Sequence, residues 1–239
     1  MNRKLHEYGI TIKESQIHIK SDMKRAIKEA VKTIKHHRLE LINYIRTHPE
    51  FKYSLNPIKI DDNAPRIVKI MAESSKIAGV GPMASVAGAL ADLGVEAMLK
   101  CGARVAVVEN GGEISIDTDQ PINVTVISEN PRISGRLGFQ ITSKESPIGI
   151  ATSTGRSSHA ISFGEADSVT IIADSASIAD AAATAVCNVV VGCDVETSIR
   201  RGLDKAKSIV GVRGAMIIRD QRIGIIGNLP KIIKIIDEL

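Results

Sequence analysis

Tryptophan is missing from this chain of 239 residues, and aromatic side chains make up only 3% of it. Three phenylalanines and three tyrosines hardly furnish a platform on which nucleobases could stack. The core must therefore come from Ile, Val, Ala and Leu, and a hydrophobic content of 44% is enough for a proper core. Cysteine is scarce as well. Cys101, Cys187 and Cys193 show no paired metal-binding spacing, and their odd number fits a reducing compartment. No apolar run reaches about eighteen residues, and no apolar signal core follows the Lys- and His-rich start. These absences predict a cytoplasmic protein with no membrane partner. A net charge of +4 falls short of the dense basic patch that a nucleic-acid partner requires.

What is present reads as alternating runs of strands and helices. Ile10–Ile12 and Ile17–Ile19 alternate with polar residues around Lys13-Glu14-Ser15, the pattern of a short hairpin. Ser21 or Asp22 then caps a long helix over residues 22–47, with Ile27, Val31, Ile34, Leu41, Ile42 and Ile45 on one stripe and His48-Pro49 at its end. Its length and charge mark it as a candidate peripheral flap. A second helix runs from Pro65 to Gly79, and a third from Met83 to about Leu99. Small residues crowd the third (Ala84, Ser85, Ala87, Gly88, Ala89, Ala91), so a neighbour approaches its backbone closely. Asn110-Gly111-Gly112 turns one strand, Arg104–Val108, into the next, Glu113–Ile116. Further strands are predicted near 122–128, 136–143, 159–163 and 168–173. A helix around Asp180, another from Glu196 to Ile209, a hairpin about Asp220-Gln221 and a short basic apolar tail follow. Without strict βαβ alternation, this order predicts an α+β fold, a single domain over residues 1–239 with a mostly antiparallel sheet and packed helices. An all-aliphatic strand set with a hairpin toward each end is compatible with a homodimer.

One stretch looks like a site. Thr152-Ser153-Thr154-Gly155-Arg156-Ser157-Ser158-His159 is a run of hydroxyls with a glycine, an arginine and a histidine, lying between apolar segments. Downstream, Asp180 and Thr184 stand four residues apart in an Ala-rich helix, so their oxygens share a face. Hydroxyls facing such a pair suit a phosphorylated ligand and a hard cation such as Mg²⁺. Plainer readings stand beside these. Ser177-x-x-Asp180 resembles a capping box, Thr184 could bond back to the carbonyl one turn earlier, and Gly111-Gly112 is an ordinary hairpin tip. Arg156 could pair a phosphate or decorate the surface. Glu113, His36-His37 and His48 read as solvated. Cys187 reads as a buried apolar residue and Cys193 as an exposed thiol.

Taken in order, Gly81-Pro82-Met83-Ala84-Ser85-Val86-Ala87-Gly88-Ala89, Val108-Glu109-Asn110-Gly111-Gly112-Glu113-Ile114, Gly149 through His159 and Ala179-Asp180 through Thr184-Ala185 resemble ApbE-like proteins. The whole chain is more similar still to the short, uncharacterised ApbE-like proteins of archaea and some bacteria. ApbE proteins are flavin transferases that cleave FAD and attach FMN to a Thr or Ser of an acceptor protein. The resemblance implies a T-fold-like domain, FAD as ligand or substrate, and Mg²⁺ on Asp180 and Thr184. It further implies Gly81, Ser85, Gly111, Gly112, Glu113, Thr152, Ser153, Thr154 and Gly155 around the nucleotide, with His159 and Arg156 in catalytic roles. Two departures stand out. Ala87 replaces a lysine that the transferases usually carry, and Ala160-Ile161-Ser162-Phe163-Gly164 replaces their Ile-Ile-Asp-Pro-x-Thr-Gly. A flavin- or metabolite-binding protein without turnover is therefore an alternative. So is an accessory factor in sulfur assimilation and homocysteine formation, with Cys193 or Cys187 as a persulfide carrier.

Overall fold

The structure, a computed structural model, describes residues 3–13, 15–125, 135–155 and 163–235. An eight-stranded sheet runs in the order β1-β2-β3-β4-β7-β8-β9-β10, and a three-stranded sheet in the order β11-β6-β5. Every neighbouring pair in both sheets is antiparallel. The large sheet comprises β1 His6–Ile12, β2 Ser15–Ser21, β3 Val105–Asn110, β4 Glu113–Thr118, β7 Ile148–Ser153, β8 Ser168–Ala173, β9 Val212–Arg219 and β10 Arg222–Gly227. The small sheet holds β5 Ile122–Thr125, β6 Leu137–Ile141 and β11 Lys231–Lys234. The helices are α1 Lys24–Thr47, α2 Pro49–Tyr53, α3 Arg66–Ala78, α4 Val86–Lys100, α5 Ala176–Val189 and α6 Val195–Ser208. The α+β class and the antiparallel sheet follow the sequence reading.

Strand alternation explains the layering. Ile17, Ile19, Ala106 and Val108 point to one face of the large sheet and pack with Ala26, Ala30, Ile34, Leu90 and Met98. Farther along, Ala151, Val169, Ile171, Ala215 and Ile217 pack with the alanines of α5. On the opposite face, Val105, Val107, Ile116, Ile150, Ile172 and Met216 meet Ile122, Val124, Phe139 and Ile141 of the small sheet. The layers are thus helices, large sheet and small sheet. The helix read as a flap buries Ala26, Ile27, Ala30, Ile34 and Leu41 in the first of these cores.

Several local expectations are corrected. Neither Ser21 nor Asp22 caps α1: its N-cap is Met23 with no side-chain cap, and the Asp22 carboxylate instead accepts the Arg104 and Val105 amides. The third helix begins as a 3-10 turn, Pro82–Ser85, before α4. Pro82–Lys100 as a unit is long and apolar enough to cross a membrane by length and composition, contrary to the sequence reading. Nine residues of α4, Leu90 and Met98 among them, are nevertheless buried in the protein's own core. Ile148–Ser153, where no strand was predicted and whose last two residues were read with the hydroxyl run, is strand β7, with Ile150 and Ala151 in two cores. Of the strand predicted at 159–163, only Phe163 is described, and it lies outside any strand. The apolar tail after the last hairpin is itself a strand, β11, paired with β6.

Candidate functional site

Two helices cross where the site is built, and each caps the other. Ser175 is the N-cap of α5 and accepts the Ile178 amide, so Ser177-x-x-Asp180 is not a capping box. Asp180 lies in the second turn. Its Oδ2 accepts the Gly88 amide at 2.9 Å, and its carboxylate also takes the Ala87 amide. Those are donors of the first turn of α4, which would otherwise be unsatisfied. In return, Asp92 of α4 accepts the Ala176 and Ser177 amides of α5, each at 2.9 Å, and the Ser115 hydroxyl at 2.8 Å. The helices come together so tightly at Gly88 that a Cβ there would lie 2.2 Å from the Ala176 carbonyl oxygen. The small-residue stripe of the sequence is therefore a helix contact. Gly149 of β7 repeats the device, with Ser175 backbone 2.0 Å from where its Cβ would be, which seats α5 on the sheet.

Around this crossing lies a cavity of about 1220 Å³. Asp180 and Thr184 line it from α5, Gly111, Gly112 and Glu113 from the β3–β4 turn, and Thr152, Ser153 and Thr154 from the end of β7. Asn110 and Glu113 pair across the turn, leaving a two-residue tip whose glycines have φ of 72° and 111°. Such a turn favours glycine at both positions. Nothing lies within 4 Å of a Cβ built on Gly112, so this backbone is open to a ligand. The Gly111 amide donates to the Gln16 carbonyl. Thr152 Oγ1 lies 3.0 Å from Thr170 Oγ1.

Burial governs the electrostatics. It pushes the Asp180 carboxyl up to about 7, against the two amides that pull it down and with the Asp92 charge adding to the rise. Glu113, read as solvated, is half-buried. Its carboxyl is held well above the usual range by desolvation first and by the Asp180 charge second. Two neighbouring carboxyls that both resist ionisation are a poor arrangement by themselves and a good one around a cation.

Not every residue named from the sequence belongs here. Gly81 packs against Ser54, whose carbonyl oxygen would lie 1.9 Å from its Cβ. Ser85 is buried and donates to the Pro82 and Met71 carbonyls. Gly155 donates its amide to Ala166 and presses on Gly164. These three hold the fold and do not line the cavity. Arg156 and His159 lie outside the described residues. The sequence reading missed Glu7, His18, Lys20 and Glu109, which also line the cavity. Their only signal was period-2 alternation, with Glu7 paired to Lys20 and His18 to Glu109 across strands. Cys187 is buried and Cys193 exposed, both unbridged.

Comparison with known proteins places this architecture. The flavin transferase ApbE of Vibrio cholerae, in a histidine-to-glycine mutant, superposes with a TM-score of 0.60 at 14% identity, covering 94% of this chain and 97% of that one. The apo flavinyl transferase ApbE of Pseudomonas stutzeri gives 0.60 at 13%, covering 94% of each. These likenesses establish a shared fold. A UPF0280 protein of Methanocaldococcus jannaschii is 40% identical over 227 residues, 94% of this chain and 92% of that one. A family model described as "AbpE bacteria" matches residues 2–209. On both the family match and the near full-length identity, the chain belongs to the AbpE family, beside the UPF0280 proteins.

Proposed function

We propose that the cavity binds a flavin nucleotide, FAD, together with Mg²⁺, and that the bound FAD is a substrate for transfer of FMN to a hydroxyl of an acceptor protein, the pyrophosphate bond breaking to release AMP as the hydroxyl gives up its proton. One observation carries this reading: Asp180, Thr184, Glu113, the Gly111-Gly112 tip and the Thr152–Thr154 hydroxyls line a single cavity. The names of the solved relatives, flavin transferases, point the same way.

The donor set suits the ion. Mg²⁺ takes oxygen ligands, typically one or two carboxylates with waters and phosphate oxygens. Asp180 offers a carboxylate with acceptor capacity beyond its two amide bonds, Thr184 a hydroxyl and Glu113 a second carboxylate. The described acidic and basic residues lining the cavity are Glu7, Glu109, Glu113 and Asp180 against His18 and Lys20. An anionic ligand thus enters more favourably as its metal complex. When bound, the ion would neutralise charge on the pyrophosphate and its leaving group. The chain's own part is positional. The Gly-Gly tip lets backbone approach the nucleotide, the β7 hydroxyls donate to phosphate oxygens, and α4 holds the Asp180 carboxylate in place. Arg156 and His159, on the segment after β7, are assigned to the phosphates and to proton transfer. The protein would act in the cytoplasm.

A second reading has one observation in its favour. At position 87 the site has an alanine, which supplies an amide to Asp180 but no cation for a phosphate. A protein that binds the flavin without transferring it fits that substitution.

Calorimetric titration of FAD, FMN and ADP, with and without Mg²⁺, tests the proposal. FAD binding should require Mg²⁺ and fall at least about 100-fold in Asp180→Ala, in line with loss of a metal ligand. Equal FAD affinity in that variant, or no binding of any of the three ligands by the parent, would sink it. Label retained on an acceptor peptide after incubation with FAD then separates transfer from binding.

A pH effect follows from the raised Asp180 carboxyl. A carboxyl with folded pKa above its ordinary value stabilises the fold below that ordinary value, and the contribution is lost as pH rises through the folded pKa. With Asp180 near 7, raising the pH from 6 to 8 without Mg²⁺ should cost on the order of 1 kcal/mol. Saturating Mg²⁺ should remove most of that cost, since the ion favours the ionised form. Denaturant melts of the parent and Asp180→Asn at both pH values check this; an identical pH slope in the two proteins would refute it.

A further inference from the structure

We propose that His36, His37 and Glu40, on the outer side of α1, form a binding site for a late first-row divalent cation such as Zn²⁺, separate from the cavity. The two histidines read from sequence as solvated. The structure gives both the same partner, because Glu40 lies one helical turn on, at i+4 from His36 and i+3 from His37. His36 Nε2 lies 3.4 Å from Glu40 Oε1, and His37 Nδ1 lies 2.6 Å from Glu40 Oε2. The ligand atoms of the three residues all fall within 4.8 Å of one another. None of the three lines the cavity.

The geometry needs little adjustment. Bonds of about 2.0–2.2 Å to Zn²⁺ place neighbouring tetrahedral ligand atoms roughly 3.4 Å apart, the separation already present between His36 and Glu40. The His37–Glu40 contact must open as the ion takes the place of the proton between them. His37 is the fixed member, its side chain 14% exposed, while Glu40 at 33% and His36 at 64% have room to move. All three project from one rigid helix whose inner face is locked in the core by Ile34 and Leu41.

Donor chemistry sets the class of ion. Two imidazoles and one carboxylate select Zn²⁺, Cu²⁺ or Ni²⁺ over Mg²⁺ or Ca²⁺, which take oxygen. Asp180 and Thr184 offer oxygen alone, so the two places differ in what they accept. Two histidines and a glutamate leave a fourth tetrahedral position for water, on the side where His36 faces solvent.

Titration with Co²⁺ in excess Mg²⁺, followed by the visible absorption of tetrahedral Co²⁺ and then by displacement with Zn²⁺, tests the proposal. One ion per chain should give the tetrahedral spectrum. His37→Ala and Glu40→Gln should each lose it and weaken Zn²⁺ at least about tenfold, with helix content unchanged by circular dichroism. Cys193→Ser should leave the spectrum intact. A parent protein with no tetrahedral signal, a signal unchanged in Glu40→Gln, or one lost in Cys193→Ser would each overturn it.

Discussion

Gly88→Ala is expected to cost about 3 kcal/mol of stability and to abolish Mg²⁺-dependent FAD binding together. An added Cβ would sit 2.2 Å from the Ala176 carbonyl oxygen and 2.5 Å from its carbonyl carbon. Both are backbone atoms of α5 that no side-chain rotation can withdraw. Overpacking in a well-filled core costs about 1–3 kcal/mol, occasionally more, and here it must also part α4 from α5. Parting them stretches the bond between the Gly88 amide and Asp180, so the carboxylate on which the metal reading depends loses its anchor. Urea denaturation and FAD titration of the same variant make the measurement. A variant as stable as the parent, or an unstable one that still binds FAD with parental affinity, would show that the helix contact does not position the site.

Asp92→Ala should be strongly destabilising although Asp92 does not line the cavity. It removes the acceptor for two amides at the start of α5 and for the Ser115 hydroxyl. Hydrogen bonds to a charged group are worth about 1.5–3 kcal/mol, and donors left buried without a partner add their desolvation cost. A helix that loses its cap alone gives up about 1 kcal/mol. The total is about 3 kcal/mol or more, and at this chain length it lowers Tm by roughly 6–12 °C. Asp92→Asn should fall between, because one carbonyl oxygen cannot serve the donors that two carboxylate oxygens serve. Burial raises the Asp92 carboxyl above its ordinary value, so the asparagine form escapes a charge cost that the parent bears. Thermal melts of both variants decide the matter; an alanine variant within 1 °C of the parent, a margin inside the shift expected from 1 kcal/mol, would remove the reciprocal-cap account.

The elements that sequence reveals are those whose causes are local. The tips at Gly111-Gly112 and Asp220-Gln221, the stripe of α1 and the stop at His48-Pro49 depend on residues within one or two turns of each other. The strand β7 escaped because Thr152 and Ser153 look like loop. They are strand residues beside a cavity, and Thr152 finds its hydroxyl partner eighteen positions away in Thr170. The same distance problem hid Asp92, whose bonds reach residues 84 and 85 positions later. Glu40 is a different case: it stands only four and three residues from His36 and His37, within reach of a local reading, and was not taken as their common partner. Gly81, Ser85 and Gly155 lie outside the cavity lining, which sequence could not show for the opposite reason: small residues beside a site look the same in sequence whether they admit a ligand or another piece of backbone. Ser177-x-x-Asp180 misled because the true cap, Ser175, stands two residues earlier, and Asp180 serves another helix.

The pairing of β11 with β6 has a bearing on how the protein comes into being. Lys231–Lys234 meets Leu137–Ile141 across almost a hundred positions of chain, so the small sheet is only a two-stranded ribbon until β11 has been made and has joined β6. A ribbon of two strands is at best marginally stable in water. The wall that β5 lends to the cavity therefore sets only once β11 has paired with β6, and a ligand should find a finished chamber only after that pairing has formed.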